Sequence, residues 1–330
     1  MATYKEIRGT EIEAVATDPS NPVEGQIWYN TTSNVLKGLA VTTTGSFASI
    51  PSLNNGRTVL AGAGTSTSAL VFNGYFPPYP SPEASAQTEL YNGSSWTEVN
   101  DANEKVIGGG GAGVSNTSAL RWGGTKGPVT GETETETWNG TNWTEVNDLN
   151  TGRDIIPQAG TGTATAVVFA GGRSSTQPKA EVWNGTNWTE VNDMNSGKSA
   201  ATCFGTSTAA IITAGSGGPD SATESWNGTN WTEVNDLNTG RSQGWGCGAS
   251  QTAGILIGGE GPNKANTELF NGTNWSETTD IPAGRNGGTA SKGGTTSSML
   301  WAGGTQPGSQ AVSMEWTGPG VAQTRTFDDS

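Results

Sequence analysis

Apolar and polar residues alternate along this chain in short runs, and Gly, Ser, Thr and Asn separate the runs. Glu136-Thr137-Trp138 and Trp143-Thr144-Glu145-Val146 are one such pair, parted by Asn139-Gly140-Thr141-Asn142. A period of two over so few residues predicts half-buried β-strands, and Asn-Gly between aromatic residues predicts a hairpin. Elsewhere small-residue segments lead into apolar runs such as Ala166-Val167-Val168-Phe169-Ala170, which predict strands buried on both faces. Helix formers with a 3.6-residue period are scarce, so the pattern predicts an all-β chain.

The hairpin recurs. Segments 89–105, 136–153, 181–198, 224–241 and 268–285 nearly coincide, and their second aromatics are Trp96, Trp143, Trp188, Trp231 and Trp275, spaced by 47, 45, 43 and 44 residues. Each unit reads as four strands: a Gly-rich inner strand, an apolar second strand, a variable loop, then the aromatic hairpin. One such sheet cannot bury both its faces, whereas radial stacking of several does, and closing the ring leaves only short edges. Gly suits the innermost strand, where blades converge.

Gly-Gly doublets stand at Gly123-Gly124, Gly171-Gly172, Gly258-Gly259 and Gly303-Gly304, with Asn73-Gly74 and Ala214-Gly215 in their place in units one and four, and the spaced aromatic pairs are Tyr91/Trp96, Trp138/Trp143, Trp183/Trp188, Trp226/Trp231 and Phe270/Trp275. A basic residue opens each unit: Arg57, Lys105, Arg153, Lys198, Arg241 and Arg285. This combination resembles the kelch-type β-propeller and covers roughly residues 43–320. Six basic positions predict six four-stranded blades, in an all-β, six-bladed kelch-like propeller over residues 43–330. Residues 1–42 form a segment with a small hairpin at 24–38, outside the repeat. Two segments compete for the outer strand of the last blade, 43–50 and 321–329. The former is favoured because Phe47, Ile50, Leu53 and Arg57 reproduce the spacing of Trp143, Val146, Leu149 and Arg153.

Composition narrows the function. The chain has no His, which removes the commonest general base and metal ligand, and with it the copper site of galactose-oxidase-type propellers. The net charge of -14 is spread through the repeats and disfavours nucleic acid and anionic membranes. No run of 18 apolar residues is present for membrane insertion, and the polar N-terminus reads as lacking a signal peptide. Glu145, Glu190 and Glu233 recur once per unit on an outer strand, as a solvated row does and a catalytic pair does not. The Asn-Asp-x-Asn segments read as Asx turns in preference to a calcium site, and the Asn-x-Thr triplets as turn chemistry in preference to glycosylation sites. Cys203 and Cys247, one repeat apart, read as buried thiols. No cofactor, metal or catalytic residue is expected.

The repeated residues Trp96, Trp138, Trp143, Trp183, Trp188, Trp226, Trp231, Trp275, Arg153, Arg241 and Arg285 are therefore expected to be structural, the basic ones paired with acids of neighbouring blades. Ligand candidates are the aromatics of the longest variable loop, Tyr75, Phe76 and Tyr79, because loops on a rigid scaffold carry specificity. Ile7, Ile12, Trp28 and Tyr29 are candidate anchors to a partner. The segment EGQIWYNTTSNVLKG (24–38) and the near-identical repeats are similar to tail-fibre and other virion proteins of tailed bacteriophages, notably marine ones. That resemblance implies a non-enzymatic virion protein held to other virion subunits through its N-terminal segment and binding a host-surface glycan or protein, with a homo-oligomer among the assemblies it allows. A kelch-type protein-interaction adaptor and a secreted carbohydrate-active enzyme are the alternatives.

Overall fold

The computed structural model describes residues 12–20, 22, 25–41, 44–76, 83–126, 131–154, 158–172, 178–217, 220–260, 265–305, 310–319 and 322–327. Among these no helix forms, and every regular element is a strand. The chain divides into two units, Ser46–Thr317 and the pairing of Met1–Gly45 with Gly318–Ser330.

The larger unit is a ring of six four-stranded antiparallel sheets, numbered here as blades one to six. From inside outward, blade one comprises Ala61–Thr65, Ser68–Phe72, Thr88–Tyr91 and Trp96–Val99. Blade two comprises Gly110–Ser115, Ser118–Trp122, Thr135–Trp138 and Trp143–Val146. The inner strands of blades three, four and five are Gly160–Thr163, Thr202–Thr206 and Trp245–Ser250. Blade six is built from Asn286–Ala290, Ser298–Thr305, Ser313–Thr317 and, on its outer edge, Ser46–Ile50. Each inner strand touches the inner strands of the blades before and after it, and blade six touches blade one, so the ring is closed and blades three and six lie opposite each other.

Closure uses the earlier of the two competing segments. Ser46–Ile50 pairs antiparallel with Ser313–Thr317, placing Phe47 opposite Trp316 with ring centroids 4.7 Å apart. The segment 322–327, expected within the propeller, instead pairs with Val35–Val41 in the smaller unit. The reason is edge chemistry: once Phe47 fills the aromatic position, the outer edge of blade six has its partner, and the C-terminal strand meets another open edge.

The aromatic hairpin explains why these residues form this structure. In blade two Trp138 sits opposite Trp143, and Asn139 to Asn142 make a four-residue connection, not the two-residue turn that Asn-Gly alone suggests. The Asn139 side chain accepts from the backbone N–H groups of Thr141 and Asn142 at 2.9 Å, and only Gly140 takes a positive φ, 94°. The second Trp reaches across to the preceding blade. Trp143 Nε1 donates to Thr88 Oγ1 and Trp188 Nε1 to Thr135 Oγ1, both at 3.0 Å. Trp231 has no such acceptor because Ala180 stands at the corresponding place.

The core is accordingly six seams, one between each pair of neighbouring blades. Phe72 of blade one packs with Trp138 and Trp143 of blade two, and Trp122 of blade two with Phe169 and Trp188 of blade three. Truncating a buried Trp of this kind costs about 3–5 kcal/mol, and here the loss falls on a contact between blades.

In the smaller unit Glu13–Val15, Ile27–Asn30, Val35–Val41 and Ala322–Phe327 form a four-stranded sheet in that order. Trp28 is fully buried and its Nε1 donates to Asp18 at 3.0 Å, while Asn30 and Lys37 also donate to that carboxylate at 2.7 Å. These donors pull Asp18 down to about 2, Lys37 foremost. Trp28 therefore serves its own sheet and does not present an anchoring surface. Ile12 and Tyr29 are exposed, at 44% and 37%. Ile7 lies outside the described residues.

Candidate functional site

In each blade the loop between second and third strands leaves from the same end of the sheet as the linker to the next blade, because strand direction alternates. The short turns and the Asn-Gly hairpins leave from the other end. One face of the ring is thus repetitive apart from blade six, and the other carries the variable loops between second and third strands.

On the variable face a repeated clasp ties each linker to its blade. In blade three Glu181, fully buried, accepts from the backbone N–H and side-chain amide of Asn150 at 3.0 and 2.9 Å and from Arg153 at 3.1 Å. Glu89 does the same with Asn54 and Arg57, and Glu268 with Asn238 and Arg241. The carboxylate belongs to the same blade as the Arg, not to a neighbouring one. Burial lowers the affinity of Arg57, Arg153 and Arg241 for their protons, and the facing glutamate opposes that effect.

Three blades depart from this plan. In blade four Glu224 accepts from Asn195 as expected, but Lys198 Nζ donates to the Ala222 carbonyl at 3.0 Å and not to a carboxylate. In blade two Lys105 is exposed, and Arg121 of the second strand supplies the charge, its Nε 2.7 Å from Glu136. Arg121 stands where Phe169 stands in blade three, so the same carboxylate is reached from inside the sheet. In blade six Met314 replaces the glutamate and Pro282 the asparagine. Among the described residues Arg285 has no acid partner. It lies 5.4 Å over the Trp301 ring, with Nη1 buried and unpaired.

The variable loops differ in what they display. Tyr75–Phe76 pairs with Glu83–Ala84 in a two-stranded extension of blade one, and Tyr75 also exchanges backbone bonds with Thr58. Both aromatics are half-buried. Tyr79 lies outside the described residues. Beside blade two Lys126 contacts Glu134 at 2.7 Å, Glu104 at 3.0 Å and Glu132 at 3.7 Å. Burial opposes its charge, but the hydrogen bonds to Glu134 and Glu104 prevail and raise its pKa.

The ring axis holds a second group of polar residues that the repeat does not announce. Blade three begins its inner strand seven residues after Arg153, at Gly160, against four in blades one, four and five. The added length brings Gln158 to the axis with a φ of 139°, a conformation that costs a non-glycine residue energy. Blade six joins its inner and second strands through 291–297, where blade one uses two residues. The added loop brings in Lys292. Gln158 Nε2 donates to Thr289 Oγ1 at 2.8 Å and Lys292 Nζ to the Gln158 carbonyl at 3.3 Å, so opposite blades are linked across the axis. Cys203 and Cys247 are free, buried thiols, and burial pushes both up to about 12. Among the described residues no cluster of three or more His, Cys, Asp or Glu is placed to hold a metal ion.

No family model matches the chain, and no curated protein matches it. Among solved structures it is similar to that of YjhT, with a TM-score of 0.64 at 12% identity, covering 84% of this chain and 99% of the other. What the two share is the fold. The architecture is a β-propeller, and at this identity the likeness says nothing further about what either face or the axis does.

Proposed function

We propose that this chain is a kelch-type propeller displayed on a bacteriophage virion, as a tail fibre or tail-associated protein, and that it binds a host-surface glycan or protein without catalysing a reaction. The observation that carries this reading is the division between faces. The face with the Asn-Gly hairpins is built from nearly identical turns in blades one to five, whereas the loops between second and third strands, which differ from blade to blade in length and composition, all fall on the opposite face. A rigid ring presenting unlike loops on one side suits recognition. Tyr75 and Phe76 are the described aromatics of its longest loop, and aromatics at such positions stack on sugars or anchor protein partners. Attachment to other virion subunits is assigned to the N-terminal segment, with Ile12 and Tyr29 as its exposed apolar side chains.

The test has two arms. Mass spectrometry of purified particles should find the chain among the virion proteins, and deletion of residues 1–25 should remove it from them. The isolated chain should bind intact host cells, and replacing 75–86 with a short Gly-Ser turn should reduce that binding at least tenfold. Absence from particles would sink the virion assignment, and undiminished binding by the loop variant would move recognition away from Tyr75 and Phe76.

A further inference from the structure

The axis contains an imbalance of hydrogen-bonding groups that the fold does not need. Lys292 is only 5% exposed, and an ammonium has three donors. Its sole described acceptor is the Gln158 carbonyl, which already accepts from the Cys203 N–H at 2.7 Å. Among the described residues no carboxylate faces it. The titratable groups acting on it are the thiols of Cys203 and Cys247, which burial keeps neutral. A buried cation without a counter-charge is costly, and replacing it with an apolar side chain is the ordinary solution in a core.

Gln158 repeats the pattern with the opposite sign. It is 1% exposed, its amide nitrogen is spent on Thr289, and its Oε1 has no partner. Its backbone is held at a positive φ to place it there. Two unused donors on Lys292 and one unused acceptor on Gln158 are therefore buried on two residues of opposite blades that already touch each other. Both residues reach the axis on extra segments that the other blades lack. The loop that carries Lys292 is itself held in place, because the Gly293 N–H donates to the Gly64 carbonyl of blade one at 2.7 Å.

We propose that the ring axis binds a small hydroxylated carboxylate, its carboxylate accepting from Lys292 and its hydroxyl donating to Gln158 Oε1. This site is separate from the variable face and does not depend on what that face binds. The anion supplies the missing counter-charge, and the hydroxyl completes the amide. Chloride and acetate meet only the first demand, whereas glycolate, which is acetate with one added hydroxyl, meets both.

The test compares these three anions at equal ionic strength and pH 7, reading thermal unfolding and titration calorimetry on the full chain. Glycolate should raise Tm above the chloride and acetate values and bind at least tenfold more tightly than acetate. Lys292→Met should erase the differences among the three, and Gln158→Met should bring glycolate down to acetate. Should either variant fail to fold, the Lys292 13Cε resonance of the unaltered chain gives the answer, because glycolate should raise the pH at which it titrates and chloride should not. Equal responses to glycolate and chloride in the unaltered chain, or a glycolate preference that survives in Lys292→Met, would overturn the proposal.

Discussion

Blade six and the other five are built on one repeat, yet blade six departs from it in three ways. Its outer strand comes from Ser46–Ile50, far from the rest of the blade in sequence. Its clasp is missing, with Met314 and Pro282 in place of the glutamate and asparagine. Its inner hairpin carries the added loop that holds Lys292. In blades one to five a buried carboxylate ties the linker from the preceding blade to the sheet. In blade six the preceding blade's last strand, Trp275–Glu277, still leads into the linker, but Arg285 rests on an indole instead of an acid. The comparison teaches that the clasp is a modular device for fixing linkers, and that the ring tolerates its loss where a non-local strand already fixes the blade.

The sharpest way to break this comparison is to remove the clasp from a regular blade. Glu181→Ala leaves Arg153 buried without its counter-charge and strips Asn150 of its acceptor, and should cost about 3–5 kcal/mol in equilibrium denaturation. Arg285→Met, at the equivalent basic position of blade six, should cost less than about 1 kcal/mol, since no acid is left unpaired. Equal losses would mean that the clasps do not distinguish the blades.

The next effect concerns the added loop. Burial pulls Lys292 from 10.5 down to about 8, with Cys203 and Cys247 the titratable groups facing it. Between these pH values the unfolded chain holds the proton and the native chain does not, so stability rises with pH across that window. Below about 8 the penalty is present in full. Lys292→Met should therefore be more stable than the unaltered chain at pH 7, by on the order of 3 kcal/mol in buffer free of hydroxy acids, and should lose that part of the rise. Denaturant midpoints from pH 7 to 10.5 measure both.

The smallest expected effect is the graft. Pro282→Asn with Met314→Glu recreates the clasp around Arg285 and should add about 1 kcal/mol, because the desolvation of the new carboxylate offsets much of the gain. A loss of stability from this double variant would show that Trp301 and the Asn286–Ala290 strand have repacked around the missing clasp.

Much of this molecule is legible in its repeat. The spacing of Trp96, Trp143, Trp188, Trp231 and Trp275 predicts the blades, and the matching steps from Phe47 to Arg57 favour the closing strand that is observed. These features are legible because each is a local pattern repeated in register, and repetition separates signal from chance. The role of Arg121 was harder to see, although it is a lone charge inside an apolar strand. Its partner Glu136 is recognisable only once the two strands are paired. Trp28 read as an interface anchor because an aromatic in a short hairpin carries no mark of whether its own sheet will cover it.

What the sequence determined by itself is the periodic part: four short strands per unit, aromatic hairpins with Asn-capped turns, and a number of units sufficient for a ring. Local backbone preference and alternation dictate these within a few dozen residues. Tertiary structure alone decided the rest. It set which edge the C-terminal strand joined, which charge reached each buried glutamate, and that Gln158 and Lys292, 134 residues apart, meet across the axis. The physical reason is that these outcomes depend on burial and on distances between residues remote in the chain, which ring closure creates and no local pattern encodes.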